Sequence, residues 1–221
     1  MAKKKKYSRK WMKEPDEFLT TSSLVLNYIY DHWPPFLAGL AGFFLLLGIG
    51  WGLFYYQAKV DTKIADETAQ AVALYHKDNL KDGAKRYLQI IENYGKNKQA
   101  LWARLYLAHT YLQQRDFEKA ARWYKEVLGY APEDNHLLKG IILLDLGYTY
   151  EEWGKLDQAI QNYTLLSQLE EPFFQGQSYL ALGRCYEQKG DKKKALTYYK
   201  KYLATQEDGS LQEKVSRWVA D

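Results

Sequence analysis

The chain has 221 residues, of which 47% are hydrophobic and 26% are charged, and its single cysteine, Cys185, excludes an intramolecular disulfide. The net charge of +4 is unevenly placed, because residues 1–35 hold seven Lys or Arg against four acids and the rest hold 24 against 23. The long C-terminal part is therefore nearly neutral and lacks the basic excess of a nucleic-acid-binding domain, so we expect no nucleic acid among the partners.

The first 33 residues divide into a basic tail and an amphipathic segment. Residues 1–14 hold all seven of the basic residues without apolar periodicity, so we expect a tail on the cytoplasmic side of a membrane, where Lys and Arg flank a span. Residues 15–33 place apolar side chains at helical spacing from Phe18 to Trp33, and Pro15 suits a first helical turn. We expect this amphipathic juxtamembrane helix to lie in the membrane interface; docking against a partner is the alternative.

Residues 34–56 predict a transmembrane helix. The run from Phe36 to Tyr56 has 21 residues and no charge, enough for an α-helix to cross a hydrocarbon core of roughly 30 Å. A cleaved signal peptide is disfavoured, because the run begins late in the chain and ends in bulky aromatic side chains. The basic excess before the run predicts a single pass through the lipid bilayer with a cytoplasmic N-terminus and an outer C-terminal domain.

Two pairs of small residues lie four positions apart within this run. They are Ala38 with Gly42 and Gly48 with Gly52. Small residues at this spacing let membrane helices approach closely, although glycine is frequent in membrane helices in any case. These four residues are the candidate contacts for a membrane-embedded protein partner.

After a linker at residues 57–63, residues 64–221 repeat one helical-hairpin pattern four times, at 65–96, 101–132, 140–171 and 176–207. In the last three segments the first helix carries a leucine, a small residue and then a tyrosine one turn later. We expect the small residue to let the second helix approach, and the hairpins to stack because none buries its apolar face alone. An alanine begins each second helix, at Ala84, Ala120, Ala159 and Ala195.

These residues at these offsets resemble the tetratricopeptide repeat over about residues 63–207, although the first segment has Ala71 and Val72 in place of the leucine and small residue. The resemblance implies an all-α fold, a solenoid of about four hairpins, with residues 210–220 as a C-terminal capping helix. It also implies an inner groove lined by fixed positions of the first helices. The corresponding residues are Trp102, Leu105, His109, Ile141, Leu144, Tyr148, Leu180 and Arg184.

This groove set is largely apolar and aromatic, which suits an extended apolar or amphipathic polypeptide. Members of the repeat family that clamp the carboxylate of a chaperone tail use lysine and asparagine at such positions, and those residues are absent here. The alternative is that Trp102, Ile141 and Leu144 pack against the first repeat or the capping helix.

No catalytic, cofactor or metal pattern is found in the sequence. The four histidines lie far apart, and there is no HExxH, CxxC or glycine-rich phosphate loop. Cys185 stands where the repeats need a small buried residue, and the adjacent acids Glu151–Glu152 and Glu170–Glu171 are expected to be solvated, since neighbouring helix positions point apart. We therefore expect a protein without enzymatic activity, cofactor or small-molecule substrate.

The layout of a basic tail, one span and an outer repeat domain resembles the single-pass, tetratricopeptide-like ancillary subunits of the bacterial Sec translocon. The resemblance implies a bacterial cytoplasmic-membrane protein whose periplasmic domain holds clients or chaperones near the channel exit. Two alternatives remain: a structural or assembly subunit of a stable cell-envelope complex, and a membrane-bound regulator that acts through its cytoplasmic tail.

Overall fold

The computed structural model describes residues 17–31, 33–77, 79–169 and 171–220, without the side chains of residues 17–21, 29 and 76. The chain divides into two compact units, residues 1–59 and 60–221. Helices account for all the regular secondary structure in these described ranges, so the predicted all-α class is confirmed. The predicted basic tail, residues 1–14, lies outside the described residues.

The N-terminal unit contains α1 (Glu17–Asp31) and the first part of α2 (Trp33–His76). Within the described ranges, α2 is the one helix that is long and apolar enough to cross a membrane, and the side chains of its most apolar stretch are all exposed. A signal sequence near the N-terminus or the buried core helix of a soluble protein meets the same criterion of length and composition. Residues 57–63, predicted to be a linker, are helical and continue α2 without a break.

The C-terminal unit consists of stacked helical hairpins. The end of α2 (residues 60–76) pairs with α3 (Leu80–Tyr94), since Ile64 and Ala71 share a buried apolar cluster with Tyr87 and Ile90. Each later helix packs on the next along the chain, and the last one closes the stack on its neighbour. The remaining bounds are α4 (Ala100–Gln113), α5 (Phe117–Tyr130), α6 (His136–Glu152), α7 (Leu156–Ser167), α8 (Pro172–Gln188), α9 (Lys192–Leu203) and α10 (Gly209–Ala220).

The small residues of the first helices admit the tyrosines of the second helices, as the pattern predicts. A Cβ atom added to Gly147 would lie 2.5 Å from Cε1 of Tyr163, and one added to Gly183 would collide with Tyr199 in the same way. Both tyrosines are fully buried, as are their counterparts Tyr87 and Tyr124. The third and fourth hairpins are therefore each closed by one aromatic ring against a glycine that leaves no room for a larger side chain.

In the first hairpin the predicted register is wrong by one residue. Gly83, and not Ala84, lies four positions after the N-cap Asn79 and four before the buried Tyr87. Ala120 has the same place between the N-cap Asp116 and Tyr124 in the second hairpin. Gly83 and Ala84 are both small and both buried, so residue size alone does not distinguish the two registers.

Candidate protein-binding surface

The first helices of the hairpins contribute the candidate surface, called here the first-helix surface: residues 60–76 of α2 together with α4, α6 and α8. Of the predicted groove residues, Trp102 and Tyr148 are the most open, with 48% and 44% of their surface exposed. Leu105 is only 5% exposed and belongs to the core, so it offers no surface to a ligand. Ile141 and Leu144 are partly buried against the same core, and Leu180 against the C-terminal cluster.

An apolar cleft of about 350 Å³ opens between α2 and α4. Trp102 lies at this cleft, and Tyr106 beside it stacks on the buried ring of Tyr87, with the ring centroids 5.9 Å apart. The stack holds Tyr106 in place, so this part of the cleft is preformed. The lining residues are Ala65, Thr68, Ala69, Val72, Gln99, Trp102 and Tyr106, none of which is charged.

Sequence reasoning did not identify most of this cleft. Tyr106 lies one position beyond the fixed groove positions of the repeat, and the α2 residues belong to the degenerate first repeat, for which no groove set was assigned. The available signal was Val72 itself, an apolar residue three positions before Tyr75, which is the spacing of residues on one helix face.

His109 joins two first helices instead of facing free solvent. Its Nε2 forms a hydrogen bond of 2.7 Å with Oδ2 of Asp145 on α6. The imidazole edge also meets the buried ring of Tyr124 at a centroid distance of 5.5 Å. His109 thus fixes α4 against α6 beside the cleft.

Glu151 corrects an expectation, because it is a buried charge rather than a solvated one. It is 9% exposed, and it accepts hydrogen bonds from both Nε and Nη2 of Arg184 at 3.0 Å. The hydroxyl of Tyr163 and the amide of Gln188 donate to the same carboxylate at 2.9 and 3.2 Å. Burial opposes the charge of Arg184, but the hydrogen bonds and charge of Glu151 outweigh it and raise the pKa of the guanidinium.

The same arrangement recurs in the fourth hairpin and is missing from the second. Tyr199 donates to Glu187 at 2.5 Å, and Lys214 of α10 donates to that carboxylate at 2.7 Å. Leu112 holds the equivalent position in the second hairpin, and the buried hydroxyl of Tyr124 has no hydrogen-bond partner among the described residues. The hydroxyl of Tyr87 in the first hairpin is in the same state.

Cys185 is fully buried, as predicted, beneath this surface. Burial and the nearby charge of Glu151 raise the pKa of its thiol to about 12. A thiol that is both covered and protonated is not a nucleophile at neutral pH. In the described part of the chain, no three His, Cys, Asp or Glu side chains are grouped so that they could hold a metal ion.

Comparisons with known proteins place this geometry in a family. The model of the tetratricopeptide repeat-like domain matches residues 30–217. Among solved structures, MamA (MSR-1, crystal form C2) is 20% identical with a TM-score of 0.54, over 64% of this chain and 76% of that one. BtubC (BKLC) from P. vanneervenii is 20% identical with a TM-score of 0.55, over 64% of this chain and 62% of that one.

At such identities these structures show the fold alone, and comparison with curated protein sequences gives no match. Domains of this repeat type are typically scaffolds for protein–protein interaction. Since the family model spans most of the sequence, the chain belongs to the tetratricopeptide repeat-like domain family.

Proposed function

We propose that the protein is a membrane-anchored, non-enzymatic interaction module that holds a client or chaperone polypeptide near the exit of the Sec translocon. The observation that carries the proposal is the preformed apolar cleft between α2 and α4, with Trp102 at its side. The bound segment is an extended apolar or amphipathic stretch of polypeptide. The domain lies on the outer, periplasmic side of a bacterial cytoplasmic membrane.

The lining of the cleft supports a polypeptide ligand. Its volume is at the lower end of the range for ligand pockets, and it lacks the convergent charged groups that orient a polar small molecule. Aromatic side chains that are rigid before binding are preferred anchors in protein interfaces, because little conformational entropy is lost when they are covered. Tyr106, held by its stack on Tyr87, meets this description, and Trp102 adds a half-exposed aromatic ring at the same cleft.

The rest of the first-helix surface is less suited to a ligand than the cleft, because several of its polar groups are already paired. Two of its polar pairs are used between helices: the His109 ring is hydrogen-bonded to Asp145, and Arg184 is paired with Glu151. A ligand that paired with these groups would have to break existing hydrogen bonds. The apolar cleft and the exposed ring of Tyr148 are free of that cost, so they carry the contact.

The membrane anchor is supported by the exposed apolar stretch of α2 and by the basic residues that precede it. In α2, a Cβ atom added to Gly42, Gly48 or Gly52 would meet no neighbour within 4 Å, so this face has room for a second membrane helix, as proposed for these residues with Ala38. The translocon is the partner implied by the layout of the chain. The alternative is a fixed subunit of a stable envelope complex.

A photo-crosslinking amino acid at position 102, in the living cell, tests the binding surface. We expect adducts with exported polypeptides or periplasmic chaperones, and none from the same amino acid at Gln161 on the exposed side of α7. Adducts with one envelope complex alone would favour the alternative, and the absence of any adduct specific to position 102 would contradict the surface.

Two variants and a fusion complete the test. Trp102→Ala should abolish the adducts formed from a probe at Gln99, whereas Phe173→Ala, which removes another exposed aromatic side chain, should not. A reporter fused after Asp221 should be active only outside the cytoplasm. Cytoplasmic activity would contradict the location while leaving the surface intact.

A further inference from the structure

The fourth hairpin carries an unusual concentration of positive charge on α9. The helix has five lysines and no acidic residue, whereas α7, its counterpart in the third hairpin, has Asp157 as its only charged residue. The C-terminal unit as a whole is close to neutral, so this charge is a local feature of one exposed helix. The lysines are Lys192, Lys193, Lys194, Lys200 and Lys201.

Four of these lysines form a single stripe. At 3.6 residues per turn, the exposed residues from position 193 to position 204 fall within an arc of about 120° on the helix. The opposite side consists of Ala195, Tyr199 and Tyr202, which are buried. We name the exposed arc the α9 stripe; it contains Lys193, Lys194, Thr197, Lys200, Lys201 and Ala204.

The charge of the α9 stripe is not neutralised within the molecule. Among the residues that the structure describes, Lys193, Lys200 and Lys201 have no carboxylate within ion-pair distance. The ammonium group of Lys194 lies 3.5 Å from the carboxylate of Asp191, which is the N-cap of the same helix. The stripe therefore presents a surplus of positive charge to whatever lies next to it.

Tyrosine rings border the stripe on one side. Tyr198 stacks on Tyr186 with the ring centroids 5.5 Å apart. The ammonium group of Lys201 lies 5.3 Å from the centroid of Tyr198 and 5.5 Å from that of Tyr179. Rings with an apolar body and a polar edge, next to long cationic side chains, are the combination found at the headgroup level of membranes.

We propose that the α9 stripe docks on an anionic phospholipid surface. Each lysine brought close to such a surface strengthens binding by about fivefold, so four together give appreciable docking even without insertion of apolar side chains. A nearly neutral domain does not suit nucleic acid, and an acidic protein would need a matching narrow row of carboxylates. If α2 is an anchor, every copy is attached to a bilayer, so the choice of a lipid surface rests on the proposed function.

The test uses the full chain in lipid nanodiscs with a fluorophore on one introduced cysteine. Thr197→Cys places the label inside the α9 stripe, and Gln161→Cys places it at the equivalent exposed position of α7, 36 residues earlier in the chain. Cys185 is fully buried and remains unlabelled in the folded protein. Spin-labelled headgroups in the disc then quench a fluorophore that touches the lipid surface.

We expect quenching at position 197 in discs that contain phosphatidylglycerol, weaker quenching at high salt, and none in discs of phosphatidylcholine alone. The label at position 161 should not be quenched. Replacing the four lysines of the stripe by glutamine should abolish the effect. As a control, four lysines in and just after α3 are replaced by glutamine, and this equal loss of charge should leave the quenching unchanged. The control positions are Lys81, Lys85, Lys96 and Lys98.

Absence of quenching at position 197, or equal quenching in both lipids, would overturn the proposal. The proposal would also be overturned if the variant with four glutamines in the α9 stripe were still quenched but no longer co-purified with an acidic protein that binds the unchanged chain. If the chain separates from the discs, the anchor fails, and the same chain is then sedimented with vesicles of the two lipids. Binding that requires both phosphatidylglycerol and the four lysines supports the α9 docking site; binding without either requirement, or no binding, refutes it.

Discussion

Removing one oxygen atom from either of two equivalent tyrosines should change stability in opposite directions. Tyr163 and Tyr124 hold the same place in successive hairpins, and both are fully buried. The hydroxyl of Tyr163 donates to Glu151 at 2.9 Å, whereas that of Tyr124 has no partner within the described parts of the chain. Substitution by phenylalanine keeps both rings in place and isolates the hydroxyl.

The expected magnitudes follow from what each hydroxyl loses. Tyr163→Phe removes a hydrogen bond to a buried carboxylate, worth about 1.5–3 kcal/mol, and the lower end applies because Arg184 and Gln188 still serve Glu151. Tyr124→Phe removes a buried polar group that is already unpaired, so it should raise the free energy of unfolding by about 1 kcal/mol.

The assay is thermal unfolding of the full chain in detergent, followed by far-UV circular dichroism. For a domain of this size, we expect Tm to fall by about 3–6 °C in Tyr163→Phe and to rise by about 2–4 °C in Tyr124→Phe. Repeat proteins need not unfold in a single step. Hydrogen exchange of each hairpin should therefore accompany the melting curves, and the changes should be confined to the mutated hairpin and its neighbours.

A loss of stability in Tyr124→Phe as large as that in Tyr163→Phe would refute the reasoning, because it would mean that the Tyr124 hydroxyl has a partner. A double-mutant cycle sharpens the point. Leu112→Glu supplies the acceptor that Glu151 provides in the next hairpin, so Tyr124→Phe should become destabilising in that background. An unchanged sign there would show that position 112 does not govern the hydroxyl.

Three further predictions follow from the same contacts. Gly147→Ala should destabilise by about 1–3 kcal/mol in thermal melts because its Cβ would overlap Tyr163, whereas Gly129→Ala, in open space, should not destabilise. Burial opposes ionisation of Glu187, but Lys214 and Tyr199 outweigh it and lower its pKa. This stabilisation is present above the ordinary glutamate pKa and is lost as pH falls through the lowered value. Acid should therefore reduce the hydrogen-exchange protection of α10, and this pH-dependent change should be smaller in Glu187→Gln. Asp208, whose pKa is also lowered by its cap bonds, acts in the same direction and is replaced by Asn as the control. Cys185 should resist thiol reagents at neutral pH until the domain unfolds, and fast labelling of the native protein would contradict its burial.

The repeat fold could be predicted from sequence because its determinants are local and recur. In the last three hairpins the small residue on one helix and the tyrosine on the next lie sixteen positions apart, for example at Gly147 and Tyr163 and at Gly183 and Tyr199. The register error at Gly83 arose where two small residues adjoin. The linker was assigned from a change in composition, but residues 57–63 contain no helix breaker, and α2 simply continues through them.

The candidate surface was harder to predict because it depends on contacts between hairpins. Glu151 was expected in solvent, and its burial comes from Arg184, which is 33 positions later in the chain. Leu105 occupies a groove position by count, yet the neighbouring hairpin covers it. The cleft itself joins an atypical first repeat to the second, so a pattern defined on regular repeats did not contain it.

The distribution of satisfied polar groups divides the solenoid into two halves. Glu151 and Glu187 each collect donors from a different helix and tie the third and fourth hairpins to α8 and α10. The first two hairpins have the unpaired hydroxyls of Tyr87 and Tyr124 and also the open apolar cleft. Binding surfaces are commonly drawn from the less stable parts of a domain. A ligand in the cleft should therefore raise hydrogen-exchange protection most in α3 and α4, because these helices are expected to be the least protected in the free protein.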